Sequence, residues 1–99
     1  MLDQVRRADV VIVNPDHIAV ALGYRPDEDD APVVLASGQN LLAKRIVEVA
    51  RRQGIPVLRE VELARSLAGV EVGARIPEEL YEAVAAVLRA VLPGPAAGG

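Results

Sequence analysis

The chain has 99 residues, a length that suits one domain. Eleven Lys and Arg against fourteen Asp and Glu give a formal charge of −3, which argues against a general nucleic-acid binder. Hydrophobic residues at 52% and charged residues at 25% describe a globular chain, and the absence of Cys excludes disulfides, thiolate catalysis and cysteine-based zinc sites.

Val10-Val11-Ile12-Val13 is a β-branched run and predicts a first strand. Asn14-Pro15-Asp16 interrupts it with turn residues, and Ile18 to Leu22 predicts a second strand ending near Gly23. Arg25 to Asp30 is a polar loop. Pro32 to Ala36 predicts a third strand, whose unbroken apolar character suggests burial on both faces. Ser37-Gly38-Gln39-Asn40 then reads as the lead-in to a helix with Leu42, Ile46, Val49 and Ala50 on its apolar face. Arg51 and Arg52 suit the negative end of that helix, and Gly54 is a stop signal.

Ile55 to Leu58 predicts a short fourth strand, and Pro56 places it at an edge or at a strand start. Glu62 to Leu67 reads as a short helix. Ile76-Pro77-Glu78-Glu79 opens a last helix with the apolar stripe Leu80, Val84, Val87, Leu88 and Val91. Val34, Leu35, Ile46, Val84 and Leu88 are expected in an aliphatic core, since Phe and Trp are absent and Tyr numbers two. The elements predict a small α/β fold, a sheet of about four strands flanked by three to four helices. Residues 1–92 form the domain, and 93–99 are expected to be a flexible tail. No apolar run approaches the ~20 residues of a membrane span, and the N-terminus is too polar for a signal peptide.

Asn14-Pro15-Asp16-His17 is the segment with the most chemistry. Pro15 has no N–H, so the usual deamidation of Asn14 by the following backbone nitrogen is closed. The reverse attack remains open. The Asn14 amide nitrogen can attack its own backbone carbonyl, form a succinimide and release Pro15 as a new N-terminus. This needs a near-attack geometry and a group that moves protons. His17 is the single His of the chain, three residues after Asn14, where a turn can bring its imidazole back to this bond. Taken by themselves, Asn14-Pro15-Asp16 are ordinary turn residues, and a plain turn is the simpler reading of them.

Three other segments carry weaker signals. Asp27-Glu28-Asp29-Asp30 has the ligand chemistry for a cation but lacks the Gly and distal Glu of an EF-hand loop, and reads as a solvated loop. Ser37 to Asn40 sits where phosphate loops occur but fits no phosphate motif. Arg6-Arg7 and Arg51-Arg52 are exposed basic pairs, with solvation preferred over an acidic lipid or partner. No cofactor and no metal ion is implied.

The run from Ala8 to Leu22, with Asn14-Pro15-Asp16-His17 at its centre, resembles the autocleavage segment of the FlhB/YscU family, the switch proteins of flagellar and injectisome type III secretion. The resemblance continues through Ala31 to Gly38, Gly54 to Val57, Leu63 to Leu67 and Ile76 to Tyr81. It implies a cytoplasmic domain that hangs from a membrane domain in the bacterial inner membrane. It implies cleavage between Asn14 and Pro15, with Asn14 cyclising, Pro15 leaving and His17 assisting. The two pieces stay paired in one sheet, and the cut lets the export machine change substrate class. This is single-turnover self-processing, not a turnover enzyme. Implied partners are other export-gate components, export substrates and a secreted length-control protein. Nucleic acid is not among them, and the membrane is reached only through the domain missing here.

Asp16 stands where the family usually has Thr, and Ser37 where it commonly has Lys. Ala68-Gly69-Val70 is one residue shorter than usual and lacks a Tyr. Retention of the motif favours the excised domain of a full-length member over a stand-alone short homologue. Two other expectations stand beside this one. One is a docking module of the same fold that does not cleave. The other is a small phosphate- or nucleotide-binding α/β protein that uses Ser37 to Asn40.

Overall fold

A computed structural model describes residues 1–15 and 17–92. Helix α1 (Leu2–Val5) leads into strands β1 (Val10–Asn14), β2 (Ile18–Gly23) and β3 (Val33–Gln39). Helix α2 (Leu41–Arg52), strand β4 (Val57–Arg59) and helix α3 (Val61–Leu67) follow. A 3-10 turn at Glu78–Leu80 opens helix α4 (Tyr81–Val91). The expected tail at 93–99 and Asp16 lie outside the described residues.

The sheet runs β3-β2-β1-β4, antiparallel except for the parallel β1–β4 pair. A hairpin joins β1 to β2, while the parallel pair is reached through the longer β3–α2 excursion. The two central strands explain their own composition. Val10 and Ile12 face a layer formed by α3 and α4, with Val20, Leu22, Ala64, Leu67, Val84 and Leu88. Val11 and Val13 face the opposite layer, with Val5, Ala19, Ala21, Ala43, Ile46 and Ala50 of α1 and α2. Strands covered on both faces read as continuous apolar runs, and these two do.

β3 corrects the expectation of a strand buried on both faces. It is an edge strand, with Val34 and Ala36 buried and Val33 and Leu35 only half-buried. The β2–β3 register shifts between Ala21 and Leu22, which pair with Ala36 and Val34. Leu35 is therefore the extra residue of a bulge, which leaves its side chain at the sheet edge. The other four expected core residues, Val34, Ile46, Val84 and Leu88, are buried.

Ser37 to Asn40 is a second correction. Ser37, Gly38 and Gln39 are strand residues paired with Val20, Ala19 and Ile18. Asn40 alone makes the junction to α2, and its side chain forms no cap hydrogen bond. Gly38 is needed there because a Cβ would lie 2.9 Å from the Leu42 Cβ and still closer to the rest of that side chain. The segment after α3 closes part of the free edge of β3. The Val34 N–H donates to Ala74, and the Gly73 N–H donates back to Val34.

The acidic loop is engaged by its own chain. The Asp29 carboxylate accepts the Arg25 N–H at 3.0 Å, and Asp30 lies 3.8 Å from Arg75. Among the described residues, no acidic or His cluster is arranged to hold a metal ion. Also among them, no helix is long and apolar enough to cross a membrane.

Candidate self-processing site

Asn14 is the last residue of β1, half-buried and paired with Ile18 across the hairpin. Pro15 and His17 are exposed. The His17 backbone N–H donates to the Asn14 carbonyl at 2.8 Å, the bond that closes a β-turn. That carbonyl belongs to the Asn14–Pro15 peptide bond. Its carbon is therefore already polarised by a backbone donor from three residues downstream.

Both legs of the turn are anchored. On the β1 side, the Glu60 N–H donates to the Val13 carbonyl at 3.0 Å, which ties the strand end to the start of α3. On the β2 side, the Asn40 N–H donates to the His17 carbonyl at 3.0 Å. Asn40 is the one non-glycine residue with positive φ among the described residues, at φ 53° and ψ −117°. A side chain at such dihedrals is strained, and strain of this kind persists only where its surroundings fix it. The strained junction aims the Asn40 N–H at the turn.

The structure thus brings Asn14, Pro15 and His17 together on one short turn. The contact it gives from His17 to the Asn14–Pro15 bond runs through the backbone N–H. Sequence reasoning assigned the imidazole a role and missed this amide. It also missed Asn40, since nothing in the sequence marks an Asn as holding positive φ when Gly38 stands two residues away.

At the far end of the hairpin a second tie holds β1. The Asp9 carboxylate accepts the Tyr24 N–H at 2.8 Å and the Arg25 guanidinium at 3.0 Å. The same guanidinium donates to the Arg7 carbonyl at 2.9 Å.

A family model described as the FlhB HrpN YscU SpaS family matches residues 1–91. The chain belongs to that family. It is 50% identical over 93 residues to the flagellar biosynthetic protein FlhB of Aquifex aeolicus, covering 93% of this chain and 27% of that protein. It is 48% identical over 93 residues to the secretion system apparatus protein SsaU of Salmonella typhimurium, covering 93% of this chain and 26% of SsaU. The chain therefore spans about a quarter of the length of these FlhB and SsaU relatives. Among solved structures, the cytoplasmic domain of FlhB from Shewanella putrefaciens superposes with a TM-score of 0.89 at 39% identity, covering 93% of this chain and 71% of that one. An asparagine-to-alanine variant of the EscU C-terminal domain superposes at 0.88 with 32% identity, covering 92% of each chain. The expected α/β fold is that of these domains. The family is one of flagellar and secretion-apparatus proteins, in agreement with the resemblance read from the motif.

Proposed function

We propose that this chain is the self-cleaving switch domain of a type III protein export apparatus, cut once between Asn14 and Pro15. The observation that carries the reading is the 2.8 Å bond from the His17 N–H to the Asn14 carbonyl, on a turn anchored at both legs. The Asn14 Nδ2 attacks the Asn14 carbonyl carbon. Negative charge develops on the carbonyl oxygen, where the His17 N–H already donates, and a donor fixed in advance lowers the cost of that charge. The Nδ2 proton passes to the Pro15 nitrogen, with the His17 imidazole as the carrier. The carbon–nitrogen bond then breaks. The products are a succinimide at Asn14 and a secondary amine at Pro15, and water later opens the ring.

The pairing of β1 supports retention of the N-terminal piece. β1 lies between β2 and β4, so every residue from Val11 to Val13 has a partner on both sides. The cut removes one covalent link and leaves this ladder in place. What changes is the turn itself, and the export machine reads that local change when it shifts substrate class. On this reading residues 1–92 are the switch domain. It works at the cytoplasmic face of the inner membrane, below the membrane domain of a longer protein, and meets export-gate components, export substrates and a length-control protein. N-terminal sequencing of freshly purified chain tests the chemistry. A second sequence starting at Pro15 is expected, and a single sequence from Met1 after long incubation at neutral pH contradicts it.

A further inference from the structure

We propose that a groove beside the Pro15 turn docks an acidic, aliphatic segment of a partner protein. The groove has a volume of about 380 Å³ and runs between the end of the hairpin and α2. Its apolar floor is formed by Val13, Ile18, Val47 and Val57, with Pro15 as one wall. Lys44 and Arg51, both exposed, stand on its rim with Glu48 between them. Neither cation takes part in an ion pair among the described residues.

The charge of the surrounding layer has the sign that an acidic partner requires, and Lys44 and Arg51 at the groove give it a local contact. Residues 1–7 and 41–52, which carry α1 and α2, hold Arg6, Arg7, Lys44, Arg45, Arg51 and Arg52 against Asp3 and Glu48. The opposite layer, residues 60–92, holds six Glu against Arg65, Arg75 and Arg89. Six of the eleven Lys and Arg thus belong to the layer that bears the groove, against two acidic residues, in a chain whose net charge is −3. Such a field steers acidic partners and repels basic ones. Branched aliphatic side chains line the groove together with two exposed cations, a combination that suits aliphatic side chains set between carboxylates. The docking does not depend on self-cleavage.

The test uses the Asn14→Ala chain, in which the wall stays intact whatever becomes of the cleavage reading. The probe is a fluorescein-labelled, amidated hexapeptide, Glu-Asp-Leu-Leu-Glu-Asp, followed by anisotropy. Saturable binding that weakens with added salt is expected. The pair Lys44→Glu and Arg51→Glu, and separately Val47→Asp, should weaken it by ~10-fold or more. The pair Arg45→Glu and Arg52→Glu, on the same helix outside the groove, should change it by less than about 3-fold. Circular dichroism confirms that each variant is folded. Absence of binding overturns the proposal. So does equal loss in both charge pairs, which means diffuse attraction. Binding to phosphatidylglycerol vesicles in place of the peptide overturns it in favour of a lipid surface.

Discussion

The backbone N–H of Asn40 donates to the carbonyl of His17 at 3.0 Å, which couples the β3–α2 junction to the turn that carries the Asn14–Pro15 bond. Asn40 holds this position at φ 53°. Asn40→Gly should relieve the strain and raise stability by about 1 kcal/mol while keeping the N–H in place. Asn40→Val should lower stability by about 1–3 kcal/mol and slow the appearance of the Pro15 fragment. Thermal melts and a mass-spectrometric time course check the two arms. A Val variant that processes as fast as the parent separates the junction from the chemistry.

Gly38 carries a second, purely steric prediction. A Cβ there meets Leu42 at 2.4 to 2.9 Å, and the nearest atoms include the Leu42 Cβ, which cannot swing away without moving α2. Gly38→Ala should cost about 1–3 kcal/mol. Adding Leu42→Ala should recover part of the loss, because the two side chains compete for one space. Denaturant melts of both single variants and the double variant close the cycle.

The bulge at Leu35 separates two residues that look alike in sequence. Ile46 is fully buried beneath the sheet, whereas Leu35 is half-exposed at its edge. Ile46→Ala should cost about 2–5 kcal/mol. Leu35→Ala should cost clearly less, since fewer of its methyl groups leave water on folding. Equal costs contradict the placement of Leu35.

These contrasts also show what the sequence could and could not carry. β1 and β2 were legible because continuous burial leaves a continuous apolar run. α2 and α4 were legible because Ile46 and Ala50, or Val84, Val87 and Leu88, recur at helical spacing. β3 departs from its local pattern because its apolar residues come partly from a bulge, and a bulge is set by pairing with β2 that no local pattern encodes. Ser37 to Gln39 read as a cap for the same reason, since polar residues on an open edge look like a loop. α1 is a single turn, too short for any periodicity. In the candidate site, the residue types of Asn14, Pro15 and His17 were enough to suggest the chemistry. The His17 N–H and the Asn40 junction are backbone features and leave no mark in side-chain composition.

Asp9 gives a prediction about the cleaved form. Its carboxylate ties the stretch before β1 to Tyr24 and Arg25, at the end of the hairpin opposite the cut. Arg25 is largely solvated, so most of the effect should come from the partly buried Tyr24 N–H. Asp9→Ala should cost about 1–3 kcal/mol. The cost should appear as loss of the 1–14 piece in processed protein, and only as a lower melting temperature in the unprocessed Asn14→Ala background. Native gel filtration followed by mass spectrometry of the peak measures both. Full retention of the piece in processed Asp9→Ala protein contradicts a holding role for this tie.

Intact mass under denaturing conditions reads cleavage at the Asn14–Pro15 bond without any intermediate assumption. Parent protein incubated at neutral pH should resolve into pieces corresponding to residues 1–14 and 15–99, which run together on native gel filtration. The Asn14→Ala chain should show one mass, that of the whole chain, because alanine has no side-chain amide to cyclise. A parent that stays whole, or an Asn14→Ala chain cut at the same bond, contradicts the account.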